Sequence, residues 1–218
     1  MNKPKAESTV LSHGIADSLR QEILAGTIGP GERIRQEDIA MKFDASRLPV
    51  REALRILESD GLVTLVANTG AWASKLDRDE CIELYEIREK LEPLLIRDSA
   101  RSISPEVMSQ LEDLAERIEA LDDTNEFLRL DREFHLLSYS GSNLKTLGFM
   151  VERLWNTTQH YRRAFTHLAW GESRWIVFHE HRLLLDAIKR KDSADAERIL
   201  EMHIRRTRIR LSDHPEIF

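Results

Sequence analysis

The sequence predicts a mainly α-helical protein with two parts: three short helices with a hairpin, then an antiparallel bundle of about six helices. Glycine and proline are scarce, with 9 and 6 among 218 residues, which disfavours the many turns of an all-β fold. Hydrophobic residues make up 41% of the chain and charged residues 32%, as expected for a helical globular protein. Apolar residues also recur at helical spacing along most of the sequence.

Residues 1–76 are predicted to form the first domain. The helical spacing of its apolar residues covers three segments, 9–25, 36–43 and 46–60. Ser46 is placed to cap the third helix and Gly61 to end it. Two β-prone runs follow, at 62–66 and 71–74, on either side of a turn at 68–70. Three helices followed by a hairpin is the layout of a winged helix-turn-helix domain.

Residues 77–218 are predicted to form the second domain, which is all-helical. Asp77 and Glu80 have the spacing of a capping box, and helical periodicity continues from there to the end of the sequence. The predicted helices are 78–101, 105–121, 125–139, 144–168, 172–190 and 193–212. Because their connections are short, neighbouring helices are expected to pack antiparallel as a bundle.

Composition and charge exclude several classes of protein. A single cysteine, Cys81, excludes an intramolecular disulfide framework and a Cys-based zinc finger. No apolar run approaches the roughly 18 residues of a membrane span, and the polar N-terminus lacks a signal core, so a cytoplasmic location is expected. The net charge of −6 does not itself indicate nucleic-acid binding, so any basic surface must be local.

The third predicted helix carries a row of arginines beside an apolar stripe. Arg47, Arg51 and Arg55 are spaced four residues apart and therefore follow one face. Such a helix can bury its apolar side and present guanidinium groups to guanine bases or phosphates in a major groove. The alternative is a solvated charged face in which Glu52 and Glu58 pair with these arginines. The hairpin that follows favours DNA binding, because a wing commonly accompanies such a helix.

Three runs in the first domain have an informative order and spacing: Pro30–Ile34, Ser46–Glu58 and Gly61–Val63. They resemble the DNA-binding domain of the GntR superfamily of bacterial repressors. Two positions depart from that pattern, because Asp44 stands where glycine is usual and Leu48 where threonine is usual. The resemblance implies contacts with DNA from the recognition helix at Ser46, Arg47 and Arg51, and backbone or minor-groove contacts at Arg33 or Arg35 and at the wing near Gly70.

Three predicted helices of the second domain place titratable residues beside apolar stripes. Asp131 and His135 lie one helical turn apart, and His181 and His203 lie on two later helices. Imidazole and carboxylate groups together suit a divalent metal ion, with zinc first and nickel, manganese or iron as further candidates. The alternative is that each histidine is hydrogen-bonded within the core and that Asp131 pairs with an arginine.

The sequence around these residues extends the resemblance. The patterns are Asp131-x-x-Phe134-His135, Glu180-His181-Arg182 and Met202-His203-Ile204. They resemble the FCD effector domain of the FadR branch of the same superfamily, over roughly 80–212. The resemblance implies that Asp131, His135, His181 and His203 hold a metal ion, that a small carboxylate effector fills an open coordination position, and that this domain supplies the contacts of a homodimer.

Two arginines are candidate ligands for the effector. Arg88 lies on the apolar stripe of the first helix of the second domain, where an unpaired cation is unfavourable. One interpretation is a bidentate contact with an organic acid, and the other is an ion pair with Asp131 or with a glutamate such as Glu92. Arg162, on the predicted helix 144–168, is the second candidate.

The combined prediction is a transcriptional regulator, expected to be a repressor, that binds a double-stranded DNA operator as a homodimer. A small organic acid bound at the metal site would change its affinity for the operator, and no membrane partner is expected. A metal-dependent enzyme that uses the same Asp and His residues is an alternative, because three imidazoles and a carboxylate also describe a hydrolytic site. A helical interaction module with a degenerate first domain is a further alternative.

Overall fold

The computed structural model describes residues 3–67 and 69–218 and divides the chain into two compact units. Asn68, which falls in the predicted turn, lies outside the described residues. The first unit comprises the N-terminal residues through Leu76 together with Arg153–His160. The second unit comprises Asp77–Glu152 and Tyr161–Phe218.

The first unit contains the three predicted helices, α1 (Lys3–Leu24), α2 (Gln36–Lys42) and α3 (Arg47–Ser59). Asp44, in the turn between α2 and α3, has a φ of 46°, a left-handed conformation that aspartate tolerates better than most residues. Ser46 occupies the N-cap position of α3 as predicted, although its hydroxyl makes no capping hydrogen bond. Gly61 follows α3 with a φ of 78°, which confirms its predicted role in ending the helix.

A small antiparallel sheet completes the first unit. Its strands are β1 (Arg33–Ile34), β2 (Val63–Val66) and β3 (Gly70–Ala73), in the order β1-β3-β2. The β2–β3 hairpin confirms the predicted wing, and Val66 pairs with Gly70 next to the turn. The sequence did not predict β1, because two residues are too few to show strand alternation. The pairing of Arg33 with Trp72 joins this segment to the wing.

The core of the first unit lies on one side of α3. The stripe of α3 consists of Val50, Ala53, Leu54 and Leu57, each completely buried. It belongs to one apolar cluster with residues of α1 and α2, which include Ile15, Leu19, Ile23 and Ile39. Because α3 is buried along this stripe, the opposite side of the helix remains exposed to solvent.

The second unit is built from helices. They are α4 (Arg78–Ser99), α5 (Pro105–Ala120), α6 (Thr124–Ser138), α7 (Lys145–Lys189) and α8 (Ser193–Ser212), followed by a 3₁₀ turn at Pro215–Ile217. The predicted capping box is present at the start of α4, because Asp77 and Glu80 each accept the other's backbone N–H at 2.9 Å. The side chains of Ser104 and Asp192 cap α5 and α8.

One helix boundary in the second domain was predicted wrongly. The segments 144–168 and 172–190 form the single helix α7, which has 45 residues and continues through Gly171. A glycine costs a helix about 1 kcal/mol relative to alanine, which lowers helix propensity without forcing a break. The described residues therefore contain five α-helices in this region rather than six. None of the helices in the described part of the chain combines the length and the apolar composition that a membrane span requires.

Candidate nucleic-acid interface and metal centre

A groove of about 590 Å³ in the first unit is lined by α3, by residues 33–37 and by the hairpin. Its described lining contains one acidic residue, Glu37, and these arginines: Arg33, Arg35, Arg47, Arg51 and Arg55. Gly70 also lines it, whereas Ser46 lies at the exposed N-terminus of α3. The groove thus concentrates positive charge in a chain whose net charge is −6, as a local basic surface requires.

The arginines of α3 do not pair with the glutamates of the same helix. Glu52 accepts a hydrogen bond from the Ser12 hydroxyl at 3.0 Å, and Glu58 accepts one from the backbone N–H of Leu65 at 3.3 Å. Among the described residues, no carboxylate lies within 4.0 Å of the guanidinium of Arg51 or Arg55. Arg51 and Arg55 can therefore contact phosphates or base edges without breaking an internal ion pair, whereas Nη2 of Arg47 lies 3.4 Å from a carboxylate oxygen of Glu37.

Arg33 and Gly70, two of the residues predicted to contact DNA, lie next to each other at the wing. The Nη2 atom of Arg33 donates to the carbonyl of Thr69 at 3.1 Å, and its guanidinium lies 5.7 Å from the ring centre of Trp72. Gly70 has a φ of 142°, where a side chain is strained, and a Cβ there would lie 3.6 Å from Nε of Arg33. Arg33 is therefore held against the wing, whereas Arg35 is exposed beside β1.

Three buried imidazoles converge in the second unit, from α6, α7 and α8. His135, His181 and His203 each offer a ring nitrogen, and these three atoms lie within 4.8 Å of one another. Asp131 adjoins the cluster, with its Oδ1 atom 3.5 Å from Nε2 of His181 and 4.0 Å from Nε2 of His135. None of the four side chains is more than 7% exposed. The structure therefore brings together all four residues predicted to bind a metal ion.

The donor set fits a divalent metal ion. Both ring nitrogens of His181 and the Oδ1 atom of Asp131 are buried and have no hydrogen-bond partner among the described residues, an arrangement that costs free energy unless a ligand satisfies it. Burial, together with the nearby positive charge of Arg162, lowers the pKa of His135 and of His181 well below the usual value. These imidazoles are therefore neutral, the form that coordinates a metal.

A buried carboxylate that the sequence analysis did not single out supports this cluster. Glu180 lies within hydrogen-bond distance of Nδ1 of His203, at 2.6 Å, and accepts hydrogen bonds from Nε and Nη2 of Arg206. Burial tends to raise the pKa of Glu180, but the hydrogen bonds from His203 and Arg206 outweigh it and hold the pKa below its usual value. The spacing of His203 and Arg206, one helical turn apart, is the signal that could have indicated a shared acidic partner.

Arg162 contacts the imidazole cluster through Asp131. Its guanidinium forms an ion pair with Oδ2 of Asp131. Burial raises the pKa of the Asp131 carboxyl, and the positive charge of Arg162 opposes that rise. Asp131 thus has one oxygen directed at an arginine and the other near two imidazoles.

Arg88 forms an ion pair with Glu92, which the sequence left open as an alternative to a contact with an organic acid. Its Nε atom donates to Glu92 at 2.5 Å, and the hydroxyl of Tyr139 donates to the same carboxylate at 2.6 Å. The guanidinium also lies 4.7 Å from the ring centre of Tyr85. Burial disfavours the charge, but Glu92 outweighs it and raises the pKa of Arg88. Its contact with an effector therefore remains a prediction.

A small pocket of about 50 Å³ adjoins the imidazole cluster, because His203, a member of the cluster, and Arg162 both line it. Its described lining contains no acidic residue, and it includes the arginines Arg162, Arg174, Arg206 and Arg210 and the aromatic residues Phe127, Phe165 and Trp170. Arg88 is not among the described residues that line it. Arg206 and Arg210 were not predicted from the sequence, although they follow His203 at positions i+3 and i+7 on one helix face.

Comparison with known proteins finds two family matches in different parts of the chain. Residues 11–72 match the bacterial regulatory proteins of the gntR family, and residues 83–206 match the FCD domain. The chain is 31% identical over 192 residues to the uncharacterized HTH-type transcriptional regulator YdhC of Bacillus subtilis, a match that covers 86% of this chain and 84% of that protein. These matches confirm the resemblance found in the sequence.

Two further similarities concern Escherichia coli proteins. The HTH-type transcriptional repressor RspR is 26% identical over 193 residues, which cover 85% of this chain and 82% of that protein. The solved structure of McbR/YncC superposes with a TM-score of 0.81 at 23% identity and covers 94% of this chain and 98% of that chain. The structural similarity confirms the predicted fold class.

Proposed function

The chain belongs to the gntR family of bacterial regulatory proteins and carries an FCD domain, and on this premise we propose that it is a repressor controlled by a small carboxylate bound beside a metal ion. Its family makes it a DNA-binding transcriptional regulator, and the relatives described above are named as regulators rather than enzymes. The repressor role is supported by the name of RspR.

The DNA-binding half of the proposal depends on the exposed side of α3. Arg47 and Arg51 would contact base edges or phosphates from the recognition helix, with Ser46 at its N-terminus. Arg33 and Arg35, with the wing at Gly70, would contact the backbone or minor groove. A single short recognition helix rarely gives enough affinity, so we propose that the chain binds a double-stranded operator as a homodimer.

The sensing half depends on one observation: His203 belongs both to the imidazole cluster and to the wall of the arginine-lined pocket. The three histidines and Asp131 would hold the ion, with zinc proposed first and nickel, manganese or iron as further candidates. The bound ion would add positive charge at the end of the pocket nearest His203.

The pocket supports a small anion as effector. A volume of about 50 Å³ has room for roughly three to five water molecules, which favours a short carboxylate over a large one. We propose that Arg162 and the pocket arginines bind the carboxylate, while the aromatic side chains exclude water from its carbon skeleton. Arg88, buried against Glu92, would act on the effector only by exchanging that partner.

The proposal requires that effector binding and operator binding be coupled. A coupling of about 1–3 kcal/mol changes operator affinity roughly 5- to 150-fold. The test is fluorescence anisotropy with a labelled operator selected from random duplexes, in the presence of short carboxylates, with zinc-loaded and with chelator-treated protein. At least one acid should weaken operator binding by the zinc-loaded form, and this effect should be lost after chelation.

A matched pair of variants makes the test specific to the pocket. Arg210→Ala removes a pocket arginine, whereas Arg205→Ala removes an exposed arginine of the same helix. The first should reduce the response to the acid and the second should not. If operator binding is intact and no acid changes it, the sensing half of the proposal is wrong, while the DNA-binding half stands.

A further inference from the structure

Leu48 is an apolar side chain on the face of α3 that carries the arginines. It lies in the first turn of the helix and is 60% exposed, although the buried stripe of the same helix is completely covered. It precedes Arg51 by three residues and Arg55 by seven, so all three share one face of the helix. Leu48 therefore adds nothing to the described core of the first unit, and it stands next to Arg47 and Arg51 although it is not among the described residues that line the groove.

Exposure alone does not give a leucine a function, because isolated apolar residues are common on protein surfaces. The position of Leu48 is more informative. In helix-turn-helix proteins the N-terminal residues of the recognition helix face the edges of the bases in the major groove. The first turn of α3 holds Arg47 and Leu48, so Leu48 would face the floor of the groove rather than the phosphates.

The major groove presents one apolar group, the C5 methyl of thymine. An exposed leucine gains free energy when that methyl excludes water from it, whereas the edges of the other bases require polar partners. The arginines around Leu48 supply attraction for the duplex and hold the helix close enough for this contact.

We propose that Leu48 selects a thymine in the operator by packing against its C5 methyl group. This inference rests on the proposed operator binding and adds a base preference to it. Each half-site would contain a T·A pair opposite the first turn of α3, and the polar contacts of Arg47 and Arg51 would fall on the neighbouring positions. An exposed leucine could instead contact a second copy of this chain. The test below distinguishes that role from contact with thymine.

The test replaces thymine by uracil, which removes the C5 methyl and keeps the base pair. An operator is first selected from random duplexes with the full chain, and each thymine is then replaced singly. We expect replacement at one position per half-site to weaken binding of the unaltered protein about fourfold, the effect of burying one methyl group. Leu48→Ala should bind the thymine and uracil duplexes equally at that position.

Met41→Ala is the matched control, because Met41 is also an exposed apolar residue, 75% exposed, and lies on the neighbouring helix α2. This substitution should leave the loss of affinity caused by uracil unchanged. If no replacement weakens binding, or if Leu48→Ala keeps the full penalty, Leu48 does not read thymine. A change in the sedimentation of Leu48→Ala without DNA would instead assign the leucine to an interface between copies. A chain that selects no operator would overturn operator binding itself and this inference with it.

Discussion

The hydrogen bond between Nδ1 of His203 and Glu180, 2.6 Å long, determines which nitrogen of that imidazole can bind a metal. Arg206 and His203 hold the pKa of Glu180 below its usual value despite burial, so the carboxylate is ionised and Nδ1 carries the proton. The lone pair of Nε2 is then available for coordination. Carboxylates that orient metal-binding imidazoles in this way commonly contribute 10- to 100-fold to metal affinity.

Glu180→Gln should therefore weaken zinc binding about 10- to 100-fold, because the amide is a poorer acceptor and no longer fixes the tautomer of His203. Competition with a chromophoric chelator measures the affinity directly. Glu201→Gln, which alters an exposed carboxylate of α8 paired with Lys90, should leave zinc affinity unchanged. Urea unfolding of the metal-free proteins shows whether the loss reflects general instability. Equal zinc affinity in Glu180→Gln and the unaltered protein would remove Glu180 from the metal centre.

Two histidines of α7 that are two residues apart give a second test of the centre. His181 is buried in the imidazole cluster, whereas His179 is exposed and its Nδ1 atom lies 2.7 Å from the carbonyl of Trp175. His181→Ala should abolish stoichiometric metal binding, measured by elemental analysis after dialysis against zinc. His179→Ala should retain it. Full metal content in His181→Ala would show that the ion, if any, is held elsewhere.

The arginines of α3 can be tested one at a time. Arg51→Ala should weaken operator binding by about 1–3 kcal/mol, because Arg51 is exposed in the groove and no carboxylate among the described residues competes for it. Binding to a scrambled duplex should fall less, so the ratio of specific to nonspecific affinity also decreases. Lys75→Ala removes one exposed positive charge outside the described lining of the groove and serves as the control. Unchanged operator affinity in Arg51→Ala would assign this arginine to the solvated surface.

Features that depend on local spacing were predictable from the sequence. The capping box of Asp77 and Glu80 and the row of arginines on α3 both follow from positions one helical turn apart. The convergence of Asp131 and His135 with the two distant histidines His181 and His203 came from a resemblance as much as from periodicity. The partner of Arg88 was not predictable, because an organic acid, Asp131 and Glu92 all remained open until the packing was known. Glu180 and His203 lie on different helices, and no local rule connects them.

Strand β1 and the length of α7 were not predicted, because local sequence patterns do not include long-range contacts. A two-residue strand is formed by its pairing with β3, which is a long-range contact. The break predicted between the segments 144–168 and 172–190 does not occur, and α7 stays helical through Gly171.

Gly171→Ala tests the continuity of α7. Among the described residues, no atom outside the local backbone lies within 4 Å of the position that a Cβ would occupy, and the backbone there is not left-handed. Alanine should therefore stabilise the protein by about 0.5–1 kcal/mol, measured by urea unfolding. Gly70→Ala, at a φ of 142°, should instead destabilise it, since alanine rarely adopts that conformation. Destabilisation by both substitutions would indicate that α7 is interrupted at Gly171.

Cys81 provides a test of packing in the second unit that is independent of any ligand. The residue is completely buried in α4, and burial raises the pKa of its thiol to about 12, against the opposing charge of Arg88. Since the thiolate is the reactive form, on the order of one molecule in ten thousand is reactive at pH 8 even before access is considered. Alkylation of the folded protein should therefore proceed only through opening of the helix, whereas the same protein in urea should react within minutes. Rapid labelling of the folded chain would mean that α4 does not pack as described, and the buried pair of Arg88 and Glu92 on that helix would have to be reconsidered as well.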